Sequence, residues 1–515
     1  MKNKFIYSAA ALISAVCILT ACEKELNPTP YGTQTVDGTF TDYNGSLNAV
    51  NGLYATLTGG NLYRGTNALI SIDLASDDVM SESALGGLYD PIDYFELGSE
   101  TGPTFTIMDE FYRLIYRSNL IINRVPKITF PTAFLRNGTG TLFNDQFVGE
   151  AHFMRAFAYY NLVRLLGDVP LRTEEITAPA QVNIPRSSKE EVYKLIESDL
   201  TSAAQKLPLS YTGSGSGNEK GRVTKWSALV VLAEAYLTQK KYAEAKATAL
   251  QVIQNPSGFK LNNTYAASFP AANGGAENTQ ESLFEIQFSS AGVSSGTAPN
   301  GHNFSYIMGP ISDAPGGSAS LARYRPTDNA APDNEPGLTG GLIQEYEAGD
   351  LRVNVNFHQA LGSNSLTRWL TKKYYEPGKA SFSTGNYVAY RVADAYLIYA
   401  EATNELGGPD VLAIDLINQL RRRAFGLPLN TPSAVDIAQG QTQSSFRDIV
   451  RSERRKELAM ENKRWFDIVR YGATYANQVL VQNQKRTKFN QNKMLFPFPQ
   501  VEIVNNPLLT QNPGY

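Results

Sequence analysis

The residues of this chain best suited to chemistry are rings and polar tips set in turn-forming stretches. Tyr63, Arg64, Asn67, Asp78, Tyr89 and Tyr94 fall in one such stretch; His302, Phe304, Tyr306, Tyr324 and Arg325 fall in another. Trp369 precedes Lys372-Lys373-Tyr374-Tyr375 and serves either as core or as a ring platform. A sugar has an apolar C–H face and a hydroxyl edge. A Tyr or Trp ring covers the face, with little side-chain entropy to lose, while Asn, Asp or Arg bonds the edge. The set carries this expectation rather than any one member, since a single loop ring packs on its neighbours as readily.

Bond-breaking chemistry is less well supplied. The three histidines, His152, His302 and His358, show no metal-ligand spacing such as H-E-x-x-H, and there is no G-x-S-x-G elbow or P-loop. His152 lies in a helical pattern, as a core or partner-facing residue; His302 sits between Gly301 and Asn303 as a possible ligand contact. Glu453 and Glu457 stand four apart on one helix, with Arg454 and Arg464 nearby in sequence. Charges so spaced support a helix or pin its neighbours. A glycosidase needs two carboxylates roughly 5–10 Å apart, and no local pattern among the 49 Asp and Glu nominates one. No motif asks for a cofactor or a metal. A net charge of −3 argues against a nucleic-acid binder.

Such residues need a scaffold, and the pattern is mainly helical. Trp226–Pro256 has Ala233 and Tyr236 on one helix and Tyr242, Ala245, Ala249 and Leu250 on the next, closed by Pro256. Small alanines let two antiparallel helices approach and rings fill the gaps, which resembles a tetratricopeptide unit. One unit cannot bury its own face, so neighbouring pairs must complete a stack. Further helices are expected from about Glu150 to Leu166, stopped by Gly167; from a capping box at Ser187-Ser188-Lys189-Glu190 to Leu207; over Tyr387–Leu406 and Val411–Ala424; and from Phe446 to about Tyr471. Trp226 and Trp465 read as core. Leu283–Phe288 predicts a strand of period two. The expectation is one domain over 39–515, a tetratricopeptide-like scaffold with a few short strands and long loop insertions at about 58–104 and 256–385.

The N-terminus fixes where this works. Lys2 and Lys4 precede an apolar run from Phe5 to Ile18, then Leu19-Thr20-Ala21-Cys22. That is a secretory signal, too short to span a bilayer. Small residues leading into a cysteine resemble the lipobox of bacterial lipoproteins, which implies that residues 1–21 are removed and Cys22 carries lipid. Cys17 would leave with the signal, so no disulfide remains. Residues 22–38, with Pro28 and Pro30, read as a flexible tether.

Several blocks in order then resemble the SusD/RagB family, surface lipoproteins of Gram-negative bacteria that capture nutrients, mostly glycans. They are Tyr112, Ile115 and Asn119, with Met108 where a Trp is common; Glu150 to Phe157 leading into Gly167-Asp168-Val169-Pro170; Arg391, Asp394 and Ala400-Glu401-Ala402; Glu453 to Leu458 with Arg464-Trp465-Phe466-Asp467; and Phe496-Pro497-Phe498-Pro499 with Gln511 to Tyr515. The resemblance implies a non-catalytic lipoprotein of the outer membrane, anchored by its lipid and exposed at the surface. It would bind an oligosaccharide and deliver it to a SusC-like TonB-dependent transporter. A peptide-binding member, an exported glycan hydrolase and a repeat protein that recruits partners without a small ligand are the alternatives.

Overall fold

The computed structural model describes residues 35–59, 62–64, 69–81, 90–100, 103–130, 142–211, 219–269, 276–289, 301–302, 324–329, 338–361, 367–376 and 383–515. The longer helices are α1 (Tyr43–Thr58), α2 (Pro103–Arg124), α3 (Phe143–Leu166), α4 (Lys189–Lys206), α5 (Lys225–Thr238), α6 (Tyr242–Ile253), α7 (Val392–Gly407), α8 (Val411–Ala424), α9 (Gln443–Glu457) and α10 (Arg464–Tyr471). From α1 to α6 each packs on the next in chain order; α6 then packs on α7 across the second insertion, and α7 on α8 and α9. The fold is mainly α, a stack of helical pairs with few and short strands.

The tetratricopeptide-like unit forms as α5 and α6. Ala228, Ala233, Ala235, Ala245 and Ala249 are fully buried, whereas Tyr236, Tyr242 and Leu250 pack at the edge of the core. Trp226 is core, its Nε1 donating to Leu209 O at 3.0 Å and Ser257 Oγ at 2.9 Å. Trp465 is fully buried. A Cβ on Gly149 would meet Lys206 Cβ at 3.0 Å, so this glycine lets α3 lie tightly on the end of α4. Gly167, at φ 74°, turns the chain out of α3.

Several expectations shift. The capping box of α4 sits one residue later: Ser188 accepts from Glu191 N and the Glu191 carboxylate from Ser188 N. The helix ending at Leu166 starts at Phe143 rather than near Glu150. Tyr387–Arg391 is a strand running straight into α7, because its backbone pairs with Ser282–Ile286. That partner strand does not alternate: Leu283 to Ile286 are all buried, since α5 covers one side and α1 also reaches it. The stretch Phe446–Tyr471 breaks between α9 and α10, where Met460 (φ 64°) and Asn462 (φ 55°) are left-handed. Val36–Thr39, expected in the tether, form a helical turn capped by Thr35 and tied down by an Asp37–Arg124 ion pair of 2.5 Å.

Short antiparallel ladders organise the insertions: β1 (Val79–Ser81), β2 (Ser282–Ile286), β3 (Tyr324–Pro326), β4 (Phe357–Leu361), β5 (Thr367–Thr371) and β6 (Tyr387–Arg391), paired β1–β3, β2–β6 and β4–β5, of which β1–β3 joins one insertion to the other. The C-terminal segment closes the other end. Phe496 N donates to Leu165 O at 2.8 Å and Asn512 Nδ2 to Leu166 O at 3.0 Å. Arg186 donates to Asp168 O (2.8 Å), Thr510 O (3.0 Å) and Asn512 Oδ1 (2.7 Å), with its guanidinium 4.4 Å from the centre of the Phe498 ring. The Gly-Asp-Val-Pro turn and the terminal block thus share one arginine.

Candidate ligand-binding face

The loop face rests on a floor of buried charge. From α9, Glu453 and Glu457 bond Arg352 at 2.6 and 3.1 Å. Arg391 reaches Glu281 (3.0 Å), Glu461 (2.9 Å) and Glu457; Arg423 reaches Glu281 (2.6 Å) and Glu457. Lys373 Nζ donates to Glu461 at 2.6 Å, Ala459 O at 2.7 Å and the Tyr265 hydroxyl at 2.8 Å. Burial would push the Glu457 carboxyl up, but Arg423, Arg391 and Arg352 overcome it and hold Glu457 at about 2. Burial pushes the Lys373 ammonium down to about 8, with Glu461 opposing. The Glu453/Glu457 pair is therefore spent on structure, as the spacing predicts.

A second cluster fixes the first insertion. Arg464 grips Asp77 at 2.7 and 2.9 Å, and Arg455 grips Asp78 at 2.7 Å and Asp77 O at 2.8 Å. Arg486 donates to Leu74 O (3.0 Å), Ser76 O (2.5 Å) and Val79 O (2.7 Å) and pairs with Asp93 (2.7 Å). Burial pushes the Asp78 carboxyl up to about 6, with Arg455 pulling against it and the Asp77 charge adding to the rise.

On this floor β1 and β3 pair with Val79 opposite Pro326, Met80 opposite Arg325 and Ser81 opposite Tyr324. Asp93 accepts from Ser81 N and Asp90 from the Ser81 hydroxyl, both at 2.7 Å, which places Tyr94 on the β1 side. Tyr94 is 44% exposed. On the other side β5 packs against β3 and carries Trp369, half-buried and opposite Gln359 of β4. Side chains alternate across a strand, so Trp369 and the buried Leu370 lie on opposite faces of the hairpin.

The structure thus draws Tyr94, Arg325 and Trp369 and the backbone of Tyr324 into one strip. Arg325 lies within it but is buried. Asp78 lies beneath, held by arginine. Tyr63 is 3% exposed, its ring 5.3 Å from that of Tyr387, and Arg64 beside it is half-buried. His302 is turned inward: its ring meets Phe288 edge-on at 4.7 Å and Nε2 is 2.8 Å from Gly385 O, while its backbone bridges Ser383. His152 pairs with Asp199 of α4 at 2.6 Å, beside Arg155. Asn67, Tyr89, Phe304, Tyr306 and Cys22 lie outside the described residues. Among the described residues, no group of three or more His, Cys, Asp or Glu is placed to hold a metal ion. Sequence reasoning missed Arg455, Arg464 and Arg486 as clamps of this face; the arginine-rich block after Ser452 was the signal available.

Two family profiles match in order: one described as "Starch-binding associating with outer membrane" over residues 89–237, and the SusD family over residues 341–515. The chain belongs to the SusD/RagB family. It is 28% identical to SusD-like protein P2 of Formosa agariphila, over 91% of this chain and 92% of that one. A crystal structure of a SusD homolog from Bacteroides thetaiotaomicron superposes with a TM-score of 0.77 at 22% identity, covering 94% of this chain and all of that one. A laminarin-binding SusD-like protein superposes at 0.73 and 23% identity, covering 92% and 100%. Each of these likenesses covers more than nine-tenths of this chain. Of the family's sequence blocks, Arg391, Glu453 to Leu458 and Arg464 to Asp467 fall on the buried charge floor, and Gly167 to Pro170 with the terminal block on the Arg186 corner, so these mark architecture rather than the ring-bearing strip.

Proposed function

We propose that this protein is a non-catalytic lipoprotein of the outer membrane that binds oligosaccharide on the β1–β3–β5 strip and delivers it to a SusC-like TonB-dependent transporter. The observation that carries the reading is the strip itself, where Tyr94 and Trp369 flank a ladder braced from below by buried arginines. A braced strip presents ring faces without ordering cost when ligand arrives. The outer-membrane, starch-binding description of one matching profile and the laminarin-binding neighbour support glycan as cargo. Cys22 would carry the lipid, residues 1–21 would be the removed signal and 39–515 the single binding domain. Among the described residues no helix is long and apolar enough to cross a membrane, so the lipid would provide the hold.

The test is to incubate the purified chain with a glycan panel and follow both retention and chain length. Retarded migration of one glycan class with unchanged length is the expected result. Shortening of any glycan, or no retention across the panel, overturns the reading.

A further inference from the structure

Away from the loop face, a groove of about 350 Å³ opens between α2, the 170–183 segment and the C-terminal residues 502–509. Its walls include Met108, Tyr112, Tyr116, Ile176, Val182 and Leu509. Tyr116, Ile176 and Val182 are 40–49% exposed, and the neighbouring C-terminal turn adds Val504 at 70%. One turn before Asp109 on α2, Phe105 is also exposed, at 46%. Large side chains left together in water in this way mark a contact surface rather than ordinary exterior. Aliphatic groups outnumber rings here, which suits protein better than sugar.

Charge narrows the occupant. Asp109, Glu174 and Glu502 line the groove, whereas its one guanidinium, Arg172, is engaged by the carbonyls of Gln181 and Val182. Asp109 already holds Arg113 at 2.8 Å. Burial raises the Glu502 carboxyl, and Asp109 adds to the rise, as for an acid facing apolar walls without a cation. Anionic lipid headgroups are repelled by such a rim; surface-lying segments that bind them are basic. Position narrows it further. Glu175, next to Ile176, takes Arg124 at 2.8 and 2.7 Å, and the same arginine holds Asp37, two residues into the described chain. The groove therefore stands where the N-terminal segment leaves the domain. With lipid on Cys22 as proposed above, the stretch from Cys22 to Thr35, at most about 45 Å long when extended, would keep this side near the membrane.

We infer that this groove docks a membrane-embedded protein through an exposed segment that offers aliphatic side chains and a lysine or arginine. The inference rests on the transporter reading above and gives it a surface.

The experiment uses the full lipidated chain in outer membranes. A photo-crosslinking residue replaces Tyr116 or Val504, with Val411, exposed at the opposite end of the helical stack, as control. In parallel the double variant Val182→Asp, Val504→Asp is used to recover partner, and any β-barrel recovered is identified by mass. The expected result is crosslinking to one barrel from Tyr116 and Val504 but not from Val411, with at least tenfold less barrel recovered by the double variant and glycan retention unchanged. Wild-type recovery by the double variant, or crosslinks to lipid alone, overturns the docking surface and leaves the transporter reading standing. Loss of glycan retention at an unchanged melting temperature also overturns it, since the groove would then be a sugar site. Recovery of no barrel by the wild-type chain sinks the transporter reading and this inference with it. If the double variant melts early, the crosslinks from Tyr116 decide.

Discussion

The helical stack and the loop face are held together by opposite means. Between α3 and α6 the contacts are mainly apolar, alanines, leucines and valines at close approach with the helices satisfying their own backbones, and ion pairs such as Arg155–Asp199 are set among them. Beneath the loop face the contacts are ionic and directed at carbonyls: Arg486 serves Leu74, Ser76 and Val79, and Arg455 serves Asp77 and, at 3.0 Å, Gly340. The difference follows from a single requirement. Every buried carbonyl needs a donor, and a loop without a ladder must receive it from a side chain. Arginine, with five donors in a rigid fork, supplies several at once. An irregular face is made rigid at the cost of burying charge.

The contrast breaks most visibly at Arg391. Arg391→Met leaves Glu281, Glu457 and Glu461 buried with less positive charge, and the expected loss is about 3–5 kcal/mol, read by denaturant unfolding. In the stack, Leu200→Ala removes a fully buried side chain and costs about 2–5 kcal/mol; glycan retention by the remaining folded protein stays intact, and a loss of affinity would show that the two regions are not separable. Next comes acid. Glu457 sits at about 2 when folded against 4.5 as its ordinary value. The folded state therefore binds fewer protons, so the stability that Glu457 contributes is present above 4.5 and is lost as pH falls toward 2. Asp78 has the reverse sign: raised to about 6, it favours the folded state increasingly as pH drops from 6 toward 4. Melting temperature against pH should thus fall steeply only below about 4.5, with Asp78→Asn flattening the segment between 4 and 6. The smallest effect on stability belongs to Tyr94→Ala, within about 0.5 kcal/mol because the ring is exposed, while glycan affinity drops measurably by calorimetry. An unchanged affinity would move the binding face elsewhere.

The stack was legible because its signals are local: caps, alanines at helical spacing, a glycine at a helix end. Even there the capping box slipped by one residue, since Ser187 and Ser188 offer equivalent hydroxyls and Glu190 and Glu191 equivalent carboxylates. Tyr387–Arg391 hid as helix because a strand buried on both faces and a buried helix are apolar alike; only the pairing with β2 distinguishes them. The turn between α9 and α10 carries neither Gly nor Pro; of its left-handed residues Met460 gives no sequence cue, and Asn462 gives only the general tolerance of asparagine for that conformation. The loop face was legible as a set and not by member. Tyr63 turns inward onto Tyr387, far along the chain, and His302 turns onto Phe288 and the Gly385 carbonyl, partners that no motif around it announces. The outer groove was missed altogether, as its walls come from three segments whose meeting no spacing announces.

Arg186 draws a last consequence. It clasps Asp168 and residues 510 and 512 together, so the corner after α3 cannot be locked until nearly the whole polypeptide has emerged. Early helices can pair as they are made, yet the finished shape waits for material synthesised more than three hundred positions later. A chain built this way keeps that corner open for most of its synthesis and sets it last.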